Sequence, residues 1–477
     1  MNAPLRKVAI SVLVLFTLLI INVNYIQVVR SDELREDTGN TRQLAEEYSR
    51  ERGSIVVAGT EVALSTPTDD RLKYLRQYPA AELYAPVTGY YSVIYNSSGM
   101  EDAENDVLAG SDPRLTLRRL ADLFTGRDPA GGNVELTLDP AVQQAAMDGL
   151  QGVTGAVVAL DPSTGAILGL ASTPSFDPNQ LSSHDPAAIR AYRESLTDDQ
   201  LTNQAISQRY SPGSIFKVVV SAAALATGDY TPETPIPAPD VLTLPGTNTT
   251  MENFDGESCN GGADQPLIDA LTISCNTAFA QLGIDLGEEA VRDMAEGFGI
   301  NDEKFDMPLS VAASKLGDIE NDAQLGISSI GQQDVQLTPM QGAMIAAAVA
   351  NRGTLMKPYL VSQVQAPDLT VIDKTDPEEM SQPVSEEVAG QLTEMMTSVV
   401  NNGTGRRARI DGVQVAGKTG TAENSADDHS WFIGFAPADD PKIAVAVFVR
   451  NGAGTGGDIS APIAKNVIQA YLDGQGG

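Results

Sequence analysis

An apolar run close to the start of the chain constrains everything after it. Arg6 and Lys7 precede an apolar stretch from Val8 to Ile21, which continues less cleanly through Asn22, Asn24 and Gln27 to Val29. A helix needs roughly 20 such residues to cross a bilayer, and in lipid only a helix or a closed barrel satisfies its own backbone. Basic residues before the run, and acidic Asp32, Glu33 and Glu36 behind it, favour a cytoplasmic N-terminus with everything later outside. No small-x-small cleavage site stands out between Asn22 and Ser31, so the run reads as an uncleaved signal anchor. With no second hydrophobic span, the expectation is a single-pass protein of the cell membrane whose bulk is extracytoplasmic. Residues 1–30 would be the cytoplasmic tip and transmembrane anchor.

The rest of the 477 residues has room for one large and one smaller domain. There are 63 acidic against 31 basic side chains, a formal net charge of −32, and such a surface repels phosphate backbones. Nucleic acid is therefore not an expected partner, and the charge reads as solubility. The two cysteines, Cys259 and Cys275, face an oxidising exterior. They can form a disulfide closing a short loop, worth about 3 kcal/mol in the chain-entropy model, or remain as two buried thiols. Only His184 and His429 could join them as metal ligands, and neither has ligand-like spacing, so no metal is expected.

From about 31 to 150 the chain is polar and acidic, with the run Glu101, Asp102, Glu104, Asn105, Asp106 near its middle. Arg52 to Val56 reads as a short strand entering a turn at Gly59, and Tyr84-Ala85-Pro86 with Tyr90-Tyr91 as another extended stretch. Asp139 followed by Pro140 predicts a capped helix. From about 151 strands and helices alternate firmly. Ala156–Leu160 and Ala166–Ala171 form a hairpin around Asp161-Pro162-Ser163-Thr164-Gly165. Thr338-Pro339 opens an Ala-rich helix that stops near Asn351 and Gly353. Three strand-like segments follow at Val413–Thr421, Trp431–Phe435 and Ile443–Val449, then a last helix from about Ala461 to Leu472. Strands at both ends with helices between them predict one sheet built from both chain ends, with a helical lobe beside it.

Three short motifs carry chemistry. In Ser211-Pro212-Gly213-Ser214-Ile215-Phe216-Lys217, Pro212 and Gly213 break the chain and a buried helix follows. That places Ser214 on its first turn and Lys217 three residues on along the same face, within reach of the hydroxyl. A desolvated lysine can take a serine proton, and a helix N-terminus offers N–H groups to an oxyanion. Ser-x-x-Lys alone is weak, since a chain this long contains on the order of one by chance. Ser274-Cys275-Asn276 follows about 60 residues later and alone reads as a polar turn. Lys418-Thr419-Gly420-Thr421 lies in a strand, where glycine is a weakness unless something approaches its backbone closely. A substrate lying along that strand, its carboxylate held by charge, would be such a thing. A histidine triad is a poor competitor, because neither histidine accompanies a Gly-x-Ser-x-Gly elbow. The Gly-rich stretch from Asn451 to Asp458 lacks the lysine and serine of a phosphate loop.

The order Ser-x-x-Lys, Ser-x-Asn, Lys-Thr-Gly is, in close variant, the motif set of β-lactamases and penicillin-binding proteins. Flanking sequence agrees: Arg52-Gly53-Ser54-Ile55, Leu136-Thr137-Leu138-Asp139 with Gln143, Asp161–Gly165, Gly331-Gln332 before Thr338-Pro339, and Gly417–Glu423 before Trp431–Phe435. Over almost its whole length the chain resembles the class B penicillin-binding proteins, and its short pedestal resembles the penicillin-binding protein A group of actinobacteria. The resemblance implies an α+β, multidomain fold. It would comprise the anchor at 1–30, a non-catalytic N-terminal pedestal at 31–150 and a penicillin-binding/β-lactamase-like transpeptidase domain at 151–477, an antiparallel sheet flanked by helices plus a helical lobe.

It also implies a peptidoglycan D,D-transpeptidase that needs no cofactor. Ser214 would attack the carbonyl between two terminal D-alanines of a stem peptide, with Lys217 taking its proton and Ser274 protonating the leaving amine. Asn276 would bind the donor and steady Lys217. Lys418, Thr419 and Thr421 around Gly420 would hold the terminal carboxylate, and the N–H groups of Ser214 and Thr421 would form the oxyanion hole. An amine of a second stem peptide completes the cross-link, and β-lactams would acylate Ser214. The roughly 120 residues ahead of the transpeptidase are too few for a glycosyltransferase domain. A SEDS-type glycosyltransferase and other cell-wall or division proteins are therefore expected as partners at the membrane, with a role in division. A D,D-carboxypeptidase, or a penicillin-binding scaffold or sensor of the division machinery, are the alternatives. If Cys259 and Cys275 are joined, intact-mass analysis after alkylation will show no label until reductant is added; labelling of both thiols beforehand would exclude the bond.

Overall fold

The structure, a computed structural model, describes residues 2–30, 48–115, 130–302, 307–424, 427–452 and 454–475. The apolar run forms helix α1 (Asn2–Asn24), continued by a π-helical turn at Tyr25–Val29. The stretch Arg6–Gln27 is long and apolar enough to cross a membrane, and none of its most apolar window is buried within the protein. Its polar residues satisfy themselves: Thr17 Oγ1 donates to the Leu13 carbonyl at 2.9 Å and Asn24 Nδ2 to that of Ile20 at 2.8 Å. Asp32, Glu33 and Glu36, used above to orient the segment, lie outside the described residues.

Strands β1 (Ile55–Val57), β2 (Thr60–Pro67), β3 (Tyr74–Gln77) and β4 (Asn133–Leu136) precede helix α2 (Pro140–Gly149) and the hairpin β5 (Gly155–Leu160)–β6 (Ile167–Thr173). Helices α3 (Lys217–Ala226), α4 (Leu267–Ile273), α5 (Asn276–Leu286) and α6 (Pro339–Ala350) follow. After them come β7 (Val361–Gln365), β8 (Val371–Lys374), helix α7 (Glu386–Asn402), strands β9 (Ala416–Ala422), β10 (His429–Ala436) and β11 (Ile443–Val449), and helix α8 (Ser460–Gln475).

The central sheet runs β9-β10-β11-β5-β6, all antiparallel, and so is built from both ends of the region after 151. Both faces are covered, which explains why Ile443–Val449 is an unbroken apolar run. Val157, Ala159, Val445 and Val447 pack with Val142, Val467 and Ile468 of α2 and α8, whereas Ala156, Val158, Trp431 and Phe448 belong to the larger core that includes α3 and α6. The local signals hold. Asp139 Oδ1 accepts from the N–H groups of Ala141 and Val142, Thr338 caps Gln341, and the 161–165 turn closes with Gly165 N on the Asp161 carbonyl at 2.8 Å.

The second sheet, six strands in the order β8-β7-β4-β1-β2-β3, takes two strands from 361–374, far along the chain. Helix α2, by contrast, packs on the central sheet although it precedes residue 150. The two sheets therefore exchange segments instead of dividing the chain at one point. Buried Gln143 of α2 joins the segment after β3 to the central sheet: its Nε2 donates to the carbonyls of Leu83 and Leu170, and its Oε1 accepts from Leu170 N at 2.9 Å. The expected extended stretch at Tyr84–Tyr91 is instead a short helix, Ala85–Thr88, with proline in its first turn, followed by a two-residue strand, Tyr91–Ser92. Pro86 suits a helix start as well as an extended chain, and the local pattern does not separate them.

One member of the acidic run is not on the surface. Glu101 is fully buried and accepts from Arg52 Nε at 2.7 Å, Arg76 Nε at 2.6 Å and the Tyr78 hydroxyl at 3.1 Å. Burial alone would raise its carboxyl; the guanidiniums of Arg76 and Arg52 overcome this and hold it below the ordinary glutamate value. Its contribution is thus present above the unfolded pKa and lost as pH falls through the folded one. Glu101→Ala would leave two guanidiniums buried without their anion, at a cost of about 3–5 kcal/mol. Denaturant titration of the full chain should show that loss, and a midpoint indistinguishable from wild type would refute it.

Candidate active site

Ser214 sits in a 3₁₀ turn, Gly213–Phe216, that runs directly into α3. The turn is fixed from several sides. Gly213 N donates to the Gly331 carbonyl at 2.9 Å, Tyr210 and Leu337 exchange two backbone hydrogen bonds, and the single tryptophan, Trp431, donates from Nε1 to the Ser211 carbonyl at 3.0 Å. Gly213 has φ +53°, and a Cβ there would fall 2.3 Å from the Thr421 carbonyl oxygen. Only glycine combines that backbone with that proximity. Gly420 in β9 is the complementary position, since its Cβ would lie 2.7 Å from the Pro212 carbonyl oxygen. The group that approaches the strand glycine closely is therefore the Ser214 turn itself.

Lys217 follows three residues after Ser214, as the spacing predicts, and is fully buried. Its Nζ donates to the Ser274 carbonyl and to Asn276 Oδ1, each at 2.7 Å, and lies 3.3 Å from Ser274 Oγ. Among the described residues none of its hydrogen bonds goes to Ser214. The two stronger acceptors, both from the second motif, set where the amine sits. Lys418, on β9, is also fully buried; its Nζ lies 2.9 Å from Ser274 Oγ and donates to the Thr419 carbonyl at 2.8 Å. The Ser274 hydroxyl thus stands between two amines, and among the described residues neither amine has a carboxylate within ion-pair distance.

Burial without an anion decides their protonation. Desolvation, and then the nearby charge of Lys418, push Lys217 well below the ordinary lysine value. Desolvation takes Lys418 down to about 7. A neutral Lys217 has two N–H bonds for its two 2.7 Å acceptors and a lone pair left over, which can accept a proton from a hydroxyl.

Ser274 reaches its place through the end of α4. It has φ +65°, in the left-handed region, with Ser274 N on the Leu271 carbonyl and Cys275 N on that of Ala270. This is a Schellman ending with serine where glycine is usual. The structure joins Cys275 to Cys259 in a disulfide with a Cα–Cα distance of 6.1 Å, bracing the same turn. Thr419 Oγ1 lies 2.6 Å from Thr404 Oγ1, and Thr404 N donates to the Thr272 carbonyl just before Ser274. Ser214, Ser274, Asn276, Thr419 and Thr421 all line one open cavity of about 930 Å³. Strand β9 is the outer strand of its sheet, and among the described residues no strand pairs along its far edge, the geometry at which an extended ligand can add to a sheet.

Sequence reasoning missed Thr404, which links the second and third motifs, and Asn253, whose side chain meets the start of α5. Neither carries a local signal beyond its polarity. His184 pairs with Asp70, and His429 lies against Asn424 and the Asn451 N–H; neither is bonded to Ser214.

Residues 155–469 match the penicillin-binding protein transpeptidase domain family, and residues 52–134 match the penicillin-binding protein A dimerisation domain. The chain is 48% identical to the peptidoglycan D,D-transpeptidase PbpA of Mycolicibacterium smegmatis over 99% of both chains. It is equally identical to PbpA of Mycobacterium tuberculosis over the full length of both. Its fold matches the structure of penicillin-binding protein A from M. tuberculosis in a ceftriaxone acyl-enzyme complex with a TM-score of 0.87 and 47% identity, covering 90% of this chain and all of that one.

The buried amines also make a prediction about stability. Between the folded value of about 7 for Lys418 and its unfolded value near 10.4, the unfolded chain binds the extra proton. The group therefore disfavours folding fully below pH 7, and progressively less as pH rises through that window. Lys418→Met should stabilise the protein at pH 6 by more than at pH 10, the difference being on the order of 5 kcal/mol at most. Denaturant midpoints at the two pH values test this, and parallel pH profiles for the two proteins would contradict it.

Proposed function

Because this chain belongs to the class B penicillin-binding proteins, serine-type peptidoglycan D,D-transpeptidases that β-lactams acylate, we propose that Ser214 is its nucleophile and Lys217 its base. The observation that carries this is the placement of Lys217: one turn from Ser214, fully buried, with two N–H bonds committed to Ser274 O and Asn276 Oδ1.

The donor stem peptide lies along the outer edge of β9, with its terminal carboxylate toward Lys418, Thr419 and Thr421 around Gly420. Ser214 Oγ attacks the carbonyl between the two D-alanines as its proton passes to Lys217 Nζ. The N–H groups of Ser214 and Thr421 take the charge that develops on the carbonyl oxygen. As the C–N bond breaks, the leaving amine receives a proton through Ser274, whose hydroxyl is resupplied by the two amines beside it. An amine of a second stem peptide then attacks the acyl-serine, its proton returns by the same path, and Ser214 is released. Asn276 holds Lys217 in line and offers its amide to the donor backbone. A β-lactam enters as a donor mimic, and its opened ring remains on Ser214.

The segment ahead of the transpeptidase, about 31–150, acts as a non-catalytic pedestal, with residues 151–477 as the catalytic region. Arg6 and Lys7 at the start of the N-terminal helix support a topology in which both lie outside the cytoplasmic membrane. Residues 52–134 and 155–469 match a dimerisation and a transpeptidase domain, and in keeping with those two matches glycan strands come from a separate SEDS-type glycosyltransferase meeting the anchor and pedestal. The role is cross-linking during division.

The test is acylation of the detergent-solubilised full chain by a fluorescent penicillin. Wild type should carry a stable label on Ser214. Ser214→Ala should carry none, and Lys217→Ala should react at least about a thousandfold more slowly, the scale of loss when a nucleophile's proton acceptor is removed. A folded wild type that takes no label would overturn the assignment.

A further inference from the structure

Helix α5, which presents Asn276 to Lys217, begins without a cap of its own, since Cys275 in the N-cap position contributes no side-chain acceptor. The acceptor comes from elsewhere. Asn253 Oδ1 accepts from the backbone N–H of Asn276 at 2.8 Å and of Thr277 at 3.1 Å, and lies 3.3 Å from Thr277 Oγ1. Backbone N–H groups can only donate, so the amide orientation is settled by its partners. Asn253 is 8% exposed and lines the same cavity as Ser214. Its Nδ2 is buried and, among the described residues, has no hydrogen-bond partner. The hydrogen bonds this amide makes within the protein therefore all run through its oxygen.

We infer that Asn253 is a positioning residue of the reaction, whose side-chain oxygen fixes the first turn of α5 and thereby keeps Asn276 Oδ1 on the Lys217 amine. The inference rests on the reading of Lys217 as the base for Ser214. Two ties then hold the second motif from the 253–259 segment. Asn253 holds the start of α5, and the Cys259–Cys275 disulfide holds the turn before it. Without the oxygen, two N–H groups at the head of α5 are orphaned, and Asn276 is free to pull back from Lys217. Among the described residues, Lys418 is the charged group that acts on Lys217. Glu252, beside Asn253 in the chain, also lines the cavity.

The experiment compares acylation of the full chain in detergent by a fluorescent penicillin, from pH 5.5 to 9, for wild type, Asn253→Ala and Asn253→Asp. Peptide mass mapping of labelled wild type at Ser214 comes first, because its absence removes the premise and the inference with it. Asn253→Ala should lower the acylation rate constant about tenfold, the equivalent of one well-placed hydrogen bond. Asn253→Asp keeps the acceptor and should recover most of that rate at alkaline pH. Its added negative charge favours the Lys217 ammonium, so the acid limb of its profile should move to higher pH by about one unit. Three results would overturn the proposal. One is a wild-type rate constant in Asn253→Ala. The second is a reduced labelled fraction that reacts with an unchanged rate constant and profile, which marks support of the fold only. The third is an equal loss in both variants with the acid limb unmoved.

Discussion

Two lysine side chains buried side by side, with no carboxylate at either amine among the described residues, are the constraint on which the rest of this structure turns. Taking an ammonium out of water costs several kcal/mol unless an anion accompanies it. The protein contains both solutions to that problem. Beside the six-stranded sheet, the guanidiniums of Arg52 and Arg76 are buried around Glu101, whose carboxylate compensates them. Around Ser274, Lys217 and Lys418 receive hydroxyl, amide and carbonyl oxygens instead, and burial drives them toward the neutral amine. A carboxylate in that place would make the fold more stable and hold Lys217 as an ammonium, unable to accept a proton. With no anion beside it among the described residues, burial leaves Lys217 shifted toward the neutral amine, the form the proposed mechanism requires.

That solution works only where the acceptors are held firmly, because a neutral amine attracts them weakly. The surroundings of Lys217 are built accordingly. The Ser274 carbonyl is fixed by a Schellman ending in which a serine accepts the left-handed conformation, and the adjacent cysteine is tied to Cys259. Thr404 bridges the Thr272 carbonyl to Thr419, so the second and third motifs are braced against each other. Helix α3, which carries the lysine, is buried from Lys217 to Leu225 and has little freedom to rotate. The three motifs lie far apart in the chain and share one rigid frame.

How much of this the sequence disclosed depends on how far apart the interacting residues are. Asp139-Pro140 and Thr338-Pro339 announced their helices because a cap is a contact between near neighbours. The hairpin at 155–173 and the apolar run at 443–449 were equally legible, one from turn chemistry and the other from burial on both faces. Ser214 and Lys217 could be placed on one turn because a helix brings positions three apart together. What could not be read was which acceptors Lys217 meets, since Ser274 and Asn276 reach it across 57 and 59 positions. Glu101 looked like surface charge because its guanidinium partners lie 49 and 25 positions away. Strands 361–374 gave no sign that they complete a sheet begun near residue 55, and Asn253 is a single polar residue in a polar loop. Tyr84–Tyr91 misled for a different reason, since proline and aromatic residues there fit a short helix as well as an extended chain.

The glycines of the site unite the rigid frame with an open edge. Gly213 and Gly420 face each other's neighbours: a Cβ on the first would strike the Thr421 carbonyl, and on the second the Pro212 carbonyl. Their bareness lets the Ser214 turn lie directly against β9, closer than any pair of side chains would allow. In the proposed mechanism, this contact is what brings a ligand stretched along the outer edge of β9 next to the Ser214 turn. Sheet pairing to Trp431 and its neighbours holds the inner edge of β9, and the Trp431 indole also holds Ser211. One strand therefore holds the Ser214 turn from within and, among the described residues, has no strand paired on its outer side. Any side chain added at either glycine would push the Ser214 turn and β9 apart, and so separate the serine from the strand edge that the proposed donor peptide uses.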